Sequence, residues 1–314
     1  MGKNNNRLNR HRKDVILVTG ATGNVGRHVV SQLAANGYAV RALSRNSPTT
    51  PLPSEVEVVQ RDLLAPDGIE GALNGIDAVF LLWRSDRIAA VSALVERLRK
   101  HARRIVFLSS SAILDDVEEQ PNFVGRVHVE IERLIENSSL EWTFLRPGAF
   151  STNSLWWWAP QIRSGDVVRW PYGRAVSAPI HERDVAAVAV RALTEDGHAE
   201  AKYVLTGPES ITLIDQVRAI GDAIGRPLRF EEISSDEAWP ELLAIMPSRI
   251  VDILLDVWSK SINGSAPVTS TVVEITGSVA RTFRQWAIDH ASDFQPILGS
   301  SLSFQPIGRN VASK

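Results

Sequence analysis

The sequence predicts an α/β fold, with a doubly wound parallel sheet of about seven strands and a smaller, mainly helical lobe toward the C-terminus. Three observations predict it. A glycine-rich turn lies between an apolar strand and a helix near the N-terminus, apolar strands alternate with helical segments over the first two thirds of the chain, and the pattern is mainly helical beyond Ser210. Folds of this class bind ligands at the carboxyl ends of their parallel strands.

The composition is that of an ordinary globular protein, with 314 residues, 44% hydrophobic and 22% charged residues, and a net charge of −2. The chain has no cysteine, which excludes disulfides, thiolate metal sites and a cysteine nucleophile and fits a cytoplasmic protein. No apolar run approaches the roughly 20 residues that cross a bilayer. We expect a small-molecule substrate, no metal, no membrane partner, and a homodimer only as the default oligomer.

The first 13 residues are basic, with five lysines and arginines, no acid and almost nothing apolar. This stretch lacks the apolar core of a signal peptide and predicts a disordered tail. A nucleic-acid arm is the weaker alternative, because no aromatic residue interleaves with the charges and the whole chain is slightly acidic.

The glycine-rich stretch near the N-terminus organises the rest of the chain. Residues 15–18 are apolar and mostly β-branched, which predicts a strand buried on both faces. Gly20, Gly23 and Gly26 follow, and residues 27–36 have helical spacing that ends at Gly37. A strand, a glycine turn and a helix start together form a pocket for a diphosphate. The alternative is an ordinary glycine-rich turn between a strand and a helix.

The stretch Thr19-Gly20-Ala21-Thr22-Gly23-Asn24-Val25-Gly26 resembles the TGxxGxxG fingerprint of extended and atypical short-chain dehydrogenases/reductases. More narrowly, the chain is similar to their NmrA-like, NAD(P)H-binding group. The resemblance continues through Arg146-Pro-Gly-Ala-Phe150 and His181-Glu-Arg-Asp-Val185 to about Asp293, and so covers most of the chain. It implies a Rossmann-type fold with a substrate lobe that closes over the cofactor. These motifs specify the cofactor well and the substrate poorly.

The resemblance and the composition together predict four segments. They are a disordered basic tail at 1–13, a dinucleotide-binding domain at 14–150 plus 180–208, a substrate-binding lobe at 151–179 plus 209–293, and a C-terminal tail at 294–314.

The end of the second strand predicts which nicotinamide cofactor is preferred. NAD-preferring sites usually place an acid there to accept a hydrogen bond from the ribose 2′-hydroxyl. This chain has Ser44 followed by Arg45, and a guanidinium binds a 2′-phosphate by charge-assisted hydrogen bonds. We therefore predict NADP(H) over NAD(H). The alternative is that Arg45 is an ordinary solvated surface side chain.

Other cofactor contacts follow the remaining strands. The resemblance implies that Asp62 and Leu63 meet the adenine, although Asp62 could instead cap the next helix. The fourth strand is fully apolar after Asp77 and so predicted to be central, and its end lies beside the cofactor. The expected cofactor-binding residues are Gly20, Thr22, Gly23, Asn24, Val25, Gly26, Ser44, Arg45, Asp62, Leu63, Leu82, Trp83, Ser109, His128, Pro147, Gly148, Ala149 and Phe150.

The catalytic pattern of the family is incomplete in this chain. The resemblance implies a Tyr-x-x-x-Lys on the helix after the fifth strand, and counting back from Glu132 places Val124 and His128 at those positions. Without a phenol, an unactivated ketone lacks its usual proton donor, whereas an iminium ion, a quinone or an enone needs less help.

His128 could hydrogen-bond the cofactor ribose or donate a proton near neutral pH. The alternative is a partly buried helix histidine bonded to backbone or water. Ser110 and Ser111 are candidate oxyanion donors at the end of the fifth strand, with strand-end capping as the alternative. The candidate catalytic residues are His128, Ser110 and Ser111.

Tryptophan and proline are dense after the sixth strand, which indicates a pocket for a flat, apolar or aromatic substrate, a core plug or a dimer surface. Consecutive tryptophans cannot all face one side of a helix, so we expect some in the pocket and some in the packing. His181 begins a helix, where capping or loop anchoring competes with a place at the rim of the site. The candidate substrate-binding residues are Trp83, Phe150, Asn153, Trp156, Trp157 and His181.

These observations favour an NADPH-dependent reductase that transfers hydride to a small, apolar or aromatic, activated acceptor. The main alternative is a non-catalytic, NAD(P)-sensing regulator that acts through a protein partner, because the NmrA-like group includes such proteins without the tyrosine. An isomerase or epimerase is weaker, since no sugar-nucleotide motif supports it. The fold alone cannot distinguish these functions.

Overall fold

The computed structural model describes residues 15–45, 51–64 and 68–296. The predicted N-terminal tail at 1–13 and all but the first three residues of the predicted C-terminal tail lie outside the described residues.

The described residues form eleven strands and thirteen helices. The strands are β1 Val15–Thr19, β2 Ala39–Ser44, β3 Glu57–Gln60, β4 Ile76–Leu81, β5 Arg104–Leu108, β6 Glu141–Pro147, β7 Val167–Trp170, β8 Val176–Ser177, β9 Ala201–Leu205, β10 Ile211–Thr212 and β11 Arg229–Glu232. The helices are α1 Gly26–Ala35, α2 Glu70–Leu73, α3 Ile88–Leu98, α4 Phe123–Glu136, α5 Asn153–Trp157, α6 Ala159–Ser164, α7 Glu182–Thr194, α8 Leu213–Ala223, α9 Ser235–Leu243, α10 Ser248–Lys260, α11 Thr271–Thr276, α12 Phe283–Asp289 and the 3₁₀ helix Ala291–Phe294.

The main sheet has seven strands in the order β3-β2-β1-β4-β5-β6-β9, and every neighbouring pair is parallel. The predicted fold class is therefore confirmed, and β4 lies at the centre of the sheet as its unbroken apolar run predicted. The strand order reverses between β1 and β4, which is where folds of this kind hold a dinucleotide.

Two apolar layers enclose the sheet. Helices α1 and α7 pack on one face, with Val29 and Leu33 of α1 against Val185 and Val188 of α7. Helices α3 and α4 pack on the other face, where Leu94 and similar side chains fill the second layer. A sheet covered on both faces needs strands that are apolar on both sides, and β4, β5 and β6 have that character.

A third apolar cluster lies apart from the sheet layers. It is built from residues 158–175 and 213–294 and includes Trp158, Trp170, Trp258 and Trp286. Helices α8, α9 and α10 contribute to it, and two-stranded pairs β7–β11 and β8–β10 adjoin it. This cluster falls within the predicted substrate-binding lobe, whose boundaries stay a prediction. None of the helices in the described ranges has the length and apolarity to span a membrane.

Candidate functional site

The turn between β1 and α1 closes tightly because it contains glycine. Gly20 has φ +61°, a conformation that favours glycine, and its carbonyl accepts a hydrogen bond from the Gly23 N–H at 2.9 Å. A Cβ on Gly26 would lie 2.8 Å from the carbonyl carbon of Gly20 and closer still to its oxygen. No side chain caps the start of α1. A close backbone turn at an uncapped helix start fits the diphosphate of a dinucleotide.

The end of β2 lies beside this turn. The hydroxyl oxygens of Thr22 and Ser44 are 3.3 Å apart, and the Arg61 N–H donates to the Ser44 carbonyl at 3.0 Å. Arg45 follows on the exposed side of this junction. The residues expected to bind the ribose end of the cofactor are thus brought together with the glycine turn.

The segment after β3 holds the two residues expected at the adenine. Asp62 is exposed, and its Oδ1 accepts a hydrogen bond from the Leu64 N–H at 3.0 Å. Leu63 is half-buried against the second apolar layer. The carboxylate therefore stabilises its own turn, and its contact with adenine stays a prediction.

The end of β4 is joined to the end of β1. The Thr19 hydroxyl oxygen accepts from the Leu82 N–H at 2.7 Å, and Leu82 packs directly over Gly20. Trp83 is buried in the second apolar layer, and its indole N–H has no hydrogen-bond partner among the described residues. A buried, unpaired indole N–H thus lies just after the end of β4.

Three consecutive serines follow β5, and each has a different environment. Ser109 is buried, and its hydroxyl lies 2.5 Å from Glu132 Oε1. The Ser110 hydroxyl oxygen accepts from the Ala112 N–H at 3.2 Å, which is the capping role that the sequence left open. Ser111 is exposed, and its N–H donates to the Pro147 carbonyl at 3.1 Å. Its hydroxyl has no hydrogen bond to the described part of the chain and is free to meet a ligand.

A buried ion pair fixes α4 against the sheet. Arg146 of β6 bonds both carboxylate oxygens of Glu132 on α4, at 2.9 and 2.5 Å, and also contacts Asp115 at 2.7 Å. Burial alone would lower the pKa of Arg146, but these two carboxylates raise it above its usual range. Sequence reasoning used Glu132 only to set the register of α4 and did not predict this pair. The available signal was an acid beside Ile131 and Ile135 on the apolar face of the helix.

His128 lies on α4 with one ring nitrogen already engaged. Its Nδ1 is 2.8 Å from the Val124 carbonyl oxygen, and its ring stacks on Phe107 with the centroids 6.0 Å apart. A carbonyl only accepts, so Nδ1 carries the hydrogen and Nε2 is an acceptor in the neutral ring. Burial lowers the pKa of His128, partly offset by the Val124 carbonyl and by Glu132. This environment disfavours proton donation near pH 7, and it leaves Nε2 able to accept a hydrogen bond from a ribose hydroxyl.

The segment after β6 is held at the same edge. The Gly148 N–H donates to the Leu205 carbonyl at 2.9 Å, and the Ala149 carbonyl accepts from the Ile180 N–H at 2.8 Å. Phe150 pairs with Ile180 in an isolated bridge and is half-buried. The chain from Pro147 to Phe150 thus lies between the end of β9 and the start of α7, where the resemblance implies that it passes the nicotinamide.

The three consecutive tryptophans have different roles. Trp156 is 63% exposed, whereas Trp158 is fully buried. Trp157 is half-buried, with ring centroids 5.8 Å from Trp158 and 5.3 Å from Trp258. Trp158 and, mainly, Trp157 therefore belong to the packing, and the expectation that some of the tryptophans line a pocket stays a prediction. Asn153 begins α5, and its N–H donates to the Phe150 carbonyl at 3.1 Å.

His181 has the capping and anchoring role that the sequence left open, and the rim position is not supported. The residue is fully buried and its Nδ1 accepts from the Arg183 N–H at 3.2 Å, which caps α7. Its Nε2 lies 3.3 Å from Asp289 of α12. Both ring nitrogens are engaged within the protein, so we do not keep His181 among the substrate-binding candidates.

Next to His181, the buried carboxylate of Glu182 links the lobe to α1. Glu182 Oε1 lies 2.8 Å from His290 Nε2 and 3.8 Å from His28 Nε2 of α1, and His290 also bonds Asp293 at 2.7 Å. Burial would raise the pKa of Glu182, but the neighbouring imidazoles of His181 and His290 lower it below its usual range. The carboxylates of Glu182 and Asp293 raise the pKa of His290 despite its burial. We call Glu182, His290 and His28 the junction cluster.

A cleft of about 420 Å³ opens elsewhere, between α1 and α7. It is lined by residues such as Asn36, Arg191 and Thr276, near the C-terminal ends of both helices. The glycine turn lies at the opposite end of α1, so we do not assign the cofactor to this cleft. Over the described ranges, no group of three or more His, Cys, Asp or Glu side chains is arranged to hold a metal ion.

Comparison with known proteins gives the family. Residues 20–196 match the family model for NAD(P)H-binding. The chain is 41% identical to the (4-alkanoyl-5-oxo-2,5-dihydrofuran-3-yl)methyl phosphate reductase of Streptomyces griseus, over 90% of this chain and all of that protein. It is 30% identical to the NAD(P)H azoreductase of Xenophilus azovorans, over 89% of this chain and 99% of that protein.

Solved structures share the fold. The triphenylmethane reductase of Citrobacter sp. superposes with a TM-score of 0.72 at 19% identity, covering 88% of this chain and 99% of that chain. The NADPH complex of an NADPH-dependent quinone oxidoreductase from Escherichia coli superposes with a TM-score of 0.70 at 24% identity, covering 87% and 98%. The chain therefore belongs to the NAD(P)H-binding, NmrA-like group of atypical short-chain dehydrogenases/reductases and is an oxidoreductase of that class.

Proposed function

We propose that the protein is an NADPH-dependent reductase of an electron-poor carbon–carbon double bond conjugated to carbonyl groups, carried on a small molecule that bears a phosphate. The observation that carries this proposal is the chemistry of α4. Val124 stands where a phenol would donate a proton, and His128 has its Nδ1 hydrogen committed to a backbone carbonyl. Such a site suits an acceptor whose reduction needs no strong acid.

The relative at 41% identity supports the choice of an enone among activated acceptors. Its named substrate has a 2,5-dihydrofuran ring whose double bond is flanked by the 5-oxo and 4-alkanoyl groups. Bound NADPH would supply the hydride, and with it the two electrons, that reduce C3, and water would supply the proton that C4 takes up. The intervening negative charge is shared by two carbonyl oxygens, so the reaction balances without an acidic side chain.

The residues of this chain then bind and orient. The free hydroxyl of Ser111 is our candidate donor to a developing oxyanion, because it lies at the end of β5 beside the Pro147 carbonyl. His128 Nε2 accepts a hydrogen bond from the cofactor ribose. Arg45 binds the 2′-phosphate and gives the preference for NADP(H).

The substrate-side candidates are those that remain exposed or half-buried near this edge. Phe150 and Asn153 are half-buried, and Trp156 is largely exposed on α5. An aromatic ring that remains accessible beside the site suits a flat ring substrate. Trp83 is buried, and only its indole N–H lacks a partner among the described residues, so we do not place its ring against the substrate.

The test is NADPH oxidation, followed by absorbance, with one acceptor of each class. The panel holds the phosphorylated alkanoyl dihydrofuranone, a benzoquinone, a cyclic imine and cyclohexanone. We expect the furanone to be reduced fastest and cyclohexanone not at all. Faster reduction of the imine or the quinone would refute the acceptor class. Tight NADPH binding without turnover of any acceptor would refute the reductase and favour the sensing regulator.

Two variants locate the site. In Ser111→Ala we expect kcat for the furanone to fall by about ten- to a hundredfold with the NADPH Kd unchanged, because the lost hydroxyl serves the developing oxyanion. In Ser138→Ala the hydroxyl removed is remote on the loop before β6, where it bonds the Ile135 carbonyl, and we expect no change in kcat. Equal kcat values for the two variants would remove Ser111 from the proposed site.

A further inference from the structure

A side chain of the lobe reaches the carboxyl edge of the sheet. Arg249, near the start of α10, has its Nη1 3.3 Å from Asp86 in the loop after β4. The carbon of its guanidinium lies 3.9 Å from the centroid of the Phe123 ring, at the first residue of α4. Phe123 directly precedes Val124, the position of the absent phenol. Arg249 therefore links the loop after β4 to the start of α4.

Most of the hydrogen-bonding capacity of Arg249 is unused. A guanidinium has five N–H donors, and its hydrogen bonding to the described residues is a single contact, at Nη1. Its side chain is 51% exposed, as is that of Asp86. The stacking on Phe123 holds the plane of the guanidinium and leaves its edge to a ligand. Arg146, in contrast, is buried and bonds two carboxylates.

The loop after β4 adds further positive charge. Arg84 and Arg87 are exposed and form no ion pair with any residue in the described ranges, while Asp86 between them pairs only with Arg249. Residues 84–87 together with Arg249 thus carry three guanidinium groups and one carboxylate. A single, long and exposed contact such as that between Arg249 and Asp86 stabilises the protein little, so exchanging it for a stronger partner is easy.

We propose that Arg249 binds the phosphate monoester of the substrate and so determines the preference for phosphorylated over neutral acceptors. The proposal rests on the proposed function and assigns the residue that recognises the charged substituent. A phosphate dianion accepts two hydrogen bonds from the free edge of a guanidinium, which is a stronger arrangement than the present contact with Asp86. When the substrate binds, its phosphate replaces the Asp86 carboxylate as the hydrogen-bond partner of Arg249. The guanidinium stays in contact with the Phe123 ring.

The experiment compares the phosphorylated furanone with its dephosphorylated alcohol. In Arg249→Met, which keeps an apolar stem over Phe123, we expect KM for the phosphorylated substrate to rise by roughly tenfold or more, with KM for the alcohol unchanged and kcat unchanged for both. Arg249→Lys should recover part of the loss. Asp86→Asn should lower KM for the phosphorylated substrate, because it removes the competing carboxylate.

Arg218→Met is the matched control, because Arg218 is also an exposed arginine of the lobe that pairs with an aspartate, Asp215, at 2.8 Å. It should change neither KM. If Arg249→Met leaves the ratio of kcat/KM for phosphorylated and neutral substrate unchanged, the assignment is wrong while the proposed reductase function stands.

Calorimetric titration of the NADP⁺-loaded protein with the phosphorylated furanone separates the two proposals. If no acceptor is reduced but binding weakens in Arg249→Met, the phosphate site stands and the reductase function falls. If the wild-type protein neither binds nor reduces the phosphorylated compound, the phosphate site is refuted.

Discussion

Adding one methyl group at Gly26 should weaken cofactor binding and thereby test the glycine turn by itself. A Cβ there would lie 2.8 Å from the Gly20 carbonyl carbon and 3.1 Å from the Ala21 Cα, against 3.4 Å for an ordinary contact. The backbone must therefore open by more than 0.6 Å. Gly20 resists this movement, because it holds φ +61° and its carbonyl accepts from the Gly23 N–H.

Forcing a methyl group into a packed position costs about 1–3 kcal/mol. If this cost falls on the closed form of the turn, NADPH binding weakens by roughly 5- to 150-fold in Gly26→Ala. The assay is a fluorescence titration of NADPH, with the thermal midpoint of each variant measured alongside.

Gly71→Ala is the matched control. Gly71 is exposed on α2, and a Cβ there would meet nothing within 4 Å. Alanine is preferred to glycine in a helix by roughly 0.5–1 kcal/mol, so we expect a slightly higher thermal midpoint and an unchanged NADPH Kd. A Gly26→Ala variant that binds NADPH as tightly as Gly71→Ala would refute the assignment of the glycine turn to the diphosphate.

Three other perturbations test separate parts of the structure. Arg45→Ala should weaken NADPH binding by about tenfold and leave NADH binding unchanged, as measured by paired titrations; equal effects on both would contradict the 2′-phosphate contact. Arg146→Met leaves Glu132 buried without its cation and should lower the free energy of unfolding by about 3–5 kcal/mol in urea titrations. A loss below about 1 kcal/mol would contradict the structural role of the buried pair. Burial lowers the pKa of His28 from 6.5 to about 4, so the stability of the wild type relative to His28→Asn should fall as pH decreases from 6.5 to 4; a difference that does not change with pH would contradict it.

Patterns local in the sequence predicted the sheet well. The run at Arg104–Leu108 is apolar after its first residue, and the strand has those bounds. The glycine turn could be predicted for the same reason, because contacts within a dozen residues set the spacing of its glycines. Phe283, Trp286 and Ala287 have helical spacing in the sequence, and all three are buried on α12.

Features that join distant segments were not predictable in the same way. The sequence does not show that Arg146 pairs with Glu132, because the pair exists only once α4 has packed against β6. By sequence alone, His181 could be a helix cap or a residue at the rim of the site. Its contact with Asp289, 108 residues along the chain, argues against the rim position. The position of Arg249 over Phe123 similarly depends on how the lobe is placed against the sheet.

The junction cluster limits how this chain can be divided. His28 lies in the first turn of α1, and Oε1 of Glu182 beside it bonds His290, which lies 262 residues later in the chain. A fragment ending after β9 would retain Glu182 at the start of α7 without its hydrogen bond from His290. Chimaeras that exchange substrate lobes between relatives must therefore transfer the segment around His290 together with α7, even though these elements belong to different predicted segments.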